Sequence, residues 1–250
     1  SNDTAKFTPG IYEPWNYYSG HNYHKTDIYG GKLNFGYSSL FGQTSLGFAL
    51  RSEKIWSNVL GNSLNDTIDV KNHPHGFYDK SYARNHFNTY MEHVYYGNGF
   101  TISAGLLASW SDEQAGNWNM YPGIDVSYHF NKNIKVFASF NQSLRYPTFT
   151  ELFYEGPSNE GNPELIPEDI TSYETGIQID YNILQGYMSL FYSDADHLVA
   201  WILKERGGNL IWKTENLTEV INKGAELSIQ SRFSNGFINK ARLNYTFIDQ

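Results

Sequence analysis

The feature that most constrains this chain is a period of two, sustained through one segment after another. In 27–37, Tyr29, Leu33, Phe35 and Tyr37 share one face while Lys32 and Asn34 take the other. In 43–51, Thr44, Leu46, Phe48 and Leu50 oppose Gln43, Ser45 and Arg51. The same alternation runs through 100–110, 119–130, 133–144, 173–181, 186–203, 219–233 and 237–247. Successive side chains point to opposite sides only in extended backbone, so each of these segments reads as a strand with one apolar face. Segment 82–96 also reads as a strand, but Phe87 and Met91 share parity with Asn85 and His93, which leaves its faces unassigned. About ten strands result, and no helical periodicity interrupts them.

The connections sort by length. Short ones lie at 38–42, 97–99, 131–132, 182–185 and 234–236; longer ones at 52–81, 111–118, 145–171 and 204–217. Asn98-Gly99 is a strong hairpin signal because both residues tolerate positive φ. Tight turns at one end and large loops at the other make an all-β, antiparallel up-and-down meander of the kind that closes into a transmembrane β-barrel. A soluble sandwich would carry Greek-key crossovers instead.

Composition agrees. Mean hydropathy is −0.52, with 20 tyrosines and 6 tryptophans. Barrel strands average polar because lumen-facing residues alternate with lipid-facing ones, and aromatic rings collect at the membrane interfaces. No uncharged apolar run of about 18 residues exists, which excludes a transmembrane helix. A soluble sugar-binding β-sandwich is the competing use of so many aromatic rings. There is no cysteine, so disulfides and thiolate metal sites are excluded, and a net charge of −8 argues against nucleic acid. The opening Ser1-Asn2-Asp3 is no signal peptide: a leader is expected to have been removed, or the start to be missing.

Between two alternating segments lies a proline-punctuated connection, 144–176. It carries Arg145 and Pro147, then Thr150-Glu151-Leu152, then Asn162-Pro163 with Leu165 and Pro167-Glu168, then Tyr173-Glu174. This series resembles a motif of TonB-dependent outer-membrane receptors. The stretch Ile221-Asn222-Lys223-Gly224-Ala225-Glu226-Leu227 resembles a second strand signature of that family. Residues 24–27, 42–51 and 55–61 are similar to receptors of the cobalamin-transporter type, with a siderophore receptor as the alternative. The resemblance implies uptake of a scarce nutrient across the bacterial outer membrane, with small-molecule cargo, outer-membrane lipid and TonB as partners. TonB would act through a plug, and a surface lipoprotein is a further candidate partner. It implies no cofactor, no metal and no bond chemistry.

The family barrel has 22 strands and a plug. The chain is too short for that, so 1–250 is expected to be a partial barrel of about ten strands, without plug or closing strands. Tight turns on the periplasmic side would put 1–26 and Gln250 outside. The two edge strands, at 27–37 and 237–249, should not pair with each other. The lipid face is expected to carry Leu33, Phe35, Leu46, Phe48, Ile102, Leu106, Ile124, Val126, Ile134, Val136, Ile177, Ile179, Leu227, Ile229, Leu243 and Tyr245.

Arg145, Pro147, Glu151, Asn162, Pro163, Glu168 and Glu174 read as structural, because proline stiffens its own and the preceding residue. Arg145 shares parity with Lys135, Ser139 and Asn141, hence the lumen; its expected partner is Glu174, then Glu151 or Glu168. Trp56, Tyr146, Phe149 and Tyr154 are the candidate ligand contacts. His21, His24, His73 and His75 read as solvated loop histidines, lacking carboxylates at a recognised metal spacing. Residues 148–161 hold no histidine, which weakens haem as cargo, and Asp66 and Asp69 have no EF-type spacing. No nucleophile or phosphate-loop motif appears. A non-transport barrel, a surface hydrolase or an adhesin, is the second functional reading.

Overall fold

The computed structural model describes residues 22–114, 117–233 and 239–250. His21, and Phe237 of the last expected strand, lie outside the described residues. In chain order the elements are β1 (His24–Ser39), β2 (Gly42–Ser57), β3 (Asn62–Asp69), β4 (Phe77–Gly97), β5 (Phe100–Ser111), a 3-10 turn (Asp112–Gln114), β6 (Trp118–Asn131) and β7 (Ile134–Arg145). They continue with helix α1 (Phe149–Phe153), β8 (Asn159–Glu160), β9 (Glu168–Asp180), β10 (Leu184–Arg206), β11 (Asn209–Arg232) and β12 (Lys240–Asp249). The strands form one sheet in the order β1-β2-β4-β5-β6-β7-β9-β10-β11-β12, every neighbour antiparallel. Short β3 extends along β4, and β8 adds a parallel bridge to β11. The edges are β1 and β12, which do not pair with each other, as expected.

Register makes the outer face continuous. Phe35 lies opposite Leu46, Leu46 opposite Met91, and Met91 opposite Leu106. The expected lipid-facing residues are indeed outside: none is buried, and Leu33, Phe35, Leu243 and Tyr245 are 58–64% exposed. The most buried side chains are small and polar, namely Ser57, Ser109, Ser111, Ser189 and Thr214, and they take the opposite parity. Apolar out and polar in is the reverse of a soluble sandwich, and an apolar surface this large requires a non-aqueous surround. Aromatic rings flank the band. Tyr37, Tyr95, Phe100, Tyr128 and Phe130 sit beside the tight turns. Phe87 and Trp118 (5.5 Å apart) and Phe140 and Tyr173 (5.2 Å apart) lie towards the loop end.

The structure orients β4. Phe87 and Met91 face outward, and the polar residues of their parity fall at the ends of the apolar band. Asn85 hydrogen-bonds Asp112 at the loop end, and His93 pairs with Thr44 Oγ1 at 2.9 Å near the turns.

Two expected loops are corrected. The stretch 52–81 contains the end of β2, all of β3 and the start of β4. The loop expected at 204–217 is the tip of the β10–β11 hairpin, where Arg206 pairs with Asn209 around Gly207 and Gly208 at φ +58° and +84°. A two-residue turn with both φ positive matches strand twist, and glycine adopts it without strain.

The sheet curves around its longest connection. Arg84 on β4 donates from Nη1 to the Pro147 carbonyl at 2.7 Å, and Thr214 on β11 donates to the Glu151 carbonyl at 2.8 Å. Strands β4 and β11 are six steps apart in the sheet order. On a flat sheet that would separate them by about 29 Å. Residues four apart in sequence touch both, so the wall wraps inward with this connection on its concave, polar face.

Candidate functional site

Two arginines hold the 146–167 connection. Arg145 ends β7 and Glu168 opens β9 directly opposite it. The guanidinium donates from Nε to Glu168 Oε2 at 2.7 Å and from Nη2 to Oε1 of the same carboxylate. It also donates to both oxygens of Glu151, at 3.1 and 3.3 Å. This planar fork is matched by two carboxylates, which lysine could not reproduce. Glu151 is already fixed: its carboxylate accepts the Thr148 N–H, and Thr148 Oγ1 accepts the Glu151 N–H, a capping box that starts α1. Glu168 is 2% exposed and also accepts the Val199 N–H at 2.8 Å. Burial alone would push the Glu168 carboxyl up. The hydrogen bonds from Arg145 and Val199 and the guanidinium charge outweigh it, so the carboxyl sits below its ordinary value.

The expected partner Glu174 is a correction. Strand β9 begins at Glu168, earlier than the sequence suggested, so Glu174 falls opposite Ser139 and accepts the Tyr187 hydroxyl at 2.6 Å instead.

The second arginine, Arg84, was not legible as a site residue. It is buried and binds Glu53 Oε2 at 2.7 Å, Glu113 Oε2 at 3.4 Å and the Pro147 carbonyl, and it lies 4.6 Å from the centre of the Phe149 ring. Arg51 also reaches Glu53, which is 5% exposed. Burial raises Glu113, and that effect exceeds the lowering by Arg84 and Tyr82. Tyr82, half-buried beside Glu113 and hydrogen-bonded to it, is pushed up to about 12 by desolvation first and then by the Glu113 charge. The signal that would have found this cluster is the even-numbered face of β4, where Tyr82, Arg84, His86, Asn88, Tyr90 and Glu92 are all polar or aromatic.

Of the candidate ligand contacts, the structure brings Tyr146 and Phe149 together in this cluster. Tyr146 packs against His86 with ring centres 4.3 Å apart and planes tilted by 44°, and it shares a hydrogen bond with Ser109. Phe149 and Phe153 pack on Tyr82 at 6.0 and 4.6 Å. Tyr154 stands apart at a cleft bordered by Asn22, Glu160 and Arg206. Trp56 shares the outward parity of Leu46 and Phe48 and is clasped between Lys25 and Lys54, at 4.6 and 4.7 Å. Asn162 and Pro163 form the return turn: the Asn162 N–H donates to the Glu151 carbonyl, and Asn162 Oδ1 accepts the Glu164 N–H. Gly161 is pressed so closely to α1 that a Cβ there would lie 2.8 Å from the Tyr154 nitrogen.

His24 and Ser57 touch at 2.8 Å, but Ser57 Oγ is fully buried and accepts the N–H groups of Val59 and Leu60. That is turn capping, not nucleophile geometry. No group of three or more His, Cys, Asp or Glu residues that could hold a metal ion occurs among the described residues.

The family described as TonB dependent receptor-like, beta-barrel, matches residues 1–250. The chain belongs to the TonB-dependent receptor β-barrel family. It is similar to the vitamin B12 transporter BtuB of Photobacterium profundum, 26% identical over 125 residues, which is 50% of this chain and 20% of that protein. The corresponding protein of Vibrio vulnificus is 30% identical over 121 residues, 48% of this chain and 18% of its own length. Among solved structures, the siderophore receptor PirA of Pseudomonas aeruginosa superposes with a TM-score of 0.70 at 17% identity, covering 92% of this chain and 44% of its own. The copper transporter OprC superposes at 0.68 with 12% identity, covering 91% and 38%. The chain thus spans about a fifth of these curated relatives and under half of these solved barrels. A TonB-dependent receptor barrel is a bacterial outer-membrane structure, and the apolar outer face described above is its membrane-facing wall.

Proposed function

We propose that this chain is a wall segment of a plugged, 22-stranded receptor that imports a scarce nutrient, cobalamin or a ferric siderophore, into the periplasm. The observation that carries the reading is the doubly anchored 146–167 connection, which folds over the polar inner face where cargo would pass. The two vitamin B12 transporters among its relatives favour cobalamin. In this reading the remainder of the receptor supplies the plug and the closing strands, and TonB engages the plug. The apolar face meets lipid, a surface lipoprotein docks on the external loops, and no covalent chemistry takes place. The test is competition binding on outer membranes carrying the full-length receptor. Labelled cyanocobalamin displaced by unlabelled cobalamin but not by ferric enterobactin supports a cobalamin receptor. The reverse supports a siderophore receptor, and saturable binding of neither overturns the cargo assignment.

A further inference from the structure

Between the anchored connection and the β5–β6 loop lies a cavity of about 310 Å³ whose two walls differ in chemistry. One wall is made by Tyr82, Glu113, Asn117 and Asn119; the other is Leu152, Leu165 and Ile166 between the motif prolines. We propose that this cavity is a cargo subsite that takes a neutral, carboxamide- or hydroxyl-bearing limb of the ligand and rejects anionic chelates.

Charge decides the class. The cation of this cluster is Arg84, and it is committed to Glu53, Glu113 and the Pro147 carbonyl, with Phe149 across its face. An anionic limb would meet the Glu113 carboxyl with no guanidinium left to receive it. The Asn117 amide at the rim carries donors and an acceptor together, which matches a carboxamide on both its N–H and C=O sides. The apolar wall is held in place, because Asn216 accepts the Ile166 N–H at 3.0 Å and donates to its carbonyl at 2.9 Å while the side chain remains 47% exposed. The volume suits one edge of a large ligand rather than the whole of it.

The inference rests on the cargo reading above and names its ligand chemistry. It is tested by equilibrium binding of cyanocobalamin, which is neutral at its carboxamide rim, and of anionic ferric enterobactin to the full-length receptor. The variants are Ile166→Trp, which fills the cavity from its exposed rim, and Asn117→Asp, which adds a charge without adding bulk. Heat-modifiable migration checks that each variant is folded. The expected result is cyanocobalamin binding that weakens at least tenfold in both. Cyanocobalamin binding unchanged in both variants overturns the subsite and leaves the receptor reading intact. Binding of ferric enterobactin alone also overturns the subsite while preserving a receptor. Binding of neither probe overturns the cargo reading, and the subsite with it.

Discussion

Arg145→Ala should release the 146–167 connection while leaving the barrel wall standing. The substitution strands Glu168, which is 2% exposed and would keep only the Val199 N–H, and it removes two hydrogen bonds from Glu151. Breaking one side of a fully buried ion pair costs about 3–5 kcal/mol. The Arg145 side chain is itself 40% exposed, so water enters the gap. That screening reduces the loss to about 2–3 kcal/mol. At about 1.4 kcal/mol per factor of ten, local opening becomes roughly 30–150 times more frequent. Hydrogen exchange read by mass spectrometry on the full-length receptor in detergent is the assay. Amides between 148 and 168 should exchange faster by that factor, while those of β5 and β6 stay within about twofold, since nothing in their ladders depends on Arg145. Arg145→Lys should fall between, because lysine keeps the charge but not the fork. Acceleration of less than about threefold in 148–168, or equal acceleration everywhere, would refute the clamp.

Other consequences follow from the same geometry. The folded-state carboxyl of Glu168 is depressed, so its contribution is present above the unfolded value near 4.5 and is lost as pH falls through the folded one; exchange of the connection should therefore be flat from pH 8 to 5 and accelerate only below that, once corrected for intrinsic rates. Arg84→Gln leaves Glu53 buried with only Arg51 beside it and should destabilise by about 3 kcal/mol, seen as a lower urea midpoint for refolding into vesicles. Phe48→Arg places a cation on the membrane face and should cost about 2–4 kcal/mol in the same assay, whereas an unchanged midpoint would contradict the assigned face. Gly99→Ala forces a side chain onto φ +82° beside Tyr128 and should cost about 1–2 kcal/mol.

The strands were legible because alternation survives even where composition looks soluble: Leu33 to Tyr37 and Ile124 to Phe130 declare their faces without any tertiary information. The polar tops of the long strands were not. Segment 52–81 and the tip of the β10–β11 hairpin rise above the apolar band, where neither face meets lipid and the period fades. Gly207-Gly208 was a readable hairpin signal that the polar surroundings masked. The motif itself pointed to Arg145 and its own carboxylates, but choosing among Glu151, Glu168 and Glu174 required the register of β9, which depends on where the strand starts. Arg84 was hidden because its partners Glu53, Glu113 and Pro147 are 29 to 63 residues away in sequence, and only the curvature of the wall brings them together.

The most direct test of the account is uptake of labelled cyanocobalamin by cells whose sole outer-membrane route is the full-length receptor, measured with TonB present and with TonB deleted. The account predicts saturable accumulation that disappears without TonB while surface binding persists. Accumulation that is indifferent to TonB, or the absence of both binding and uptake for cyanocobalamin and ferric siderophores alike, would contradict it.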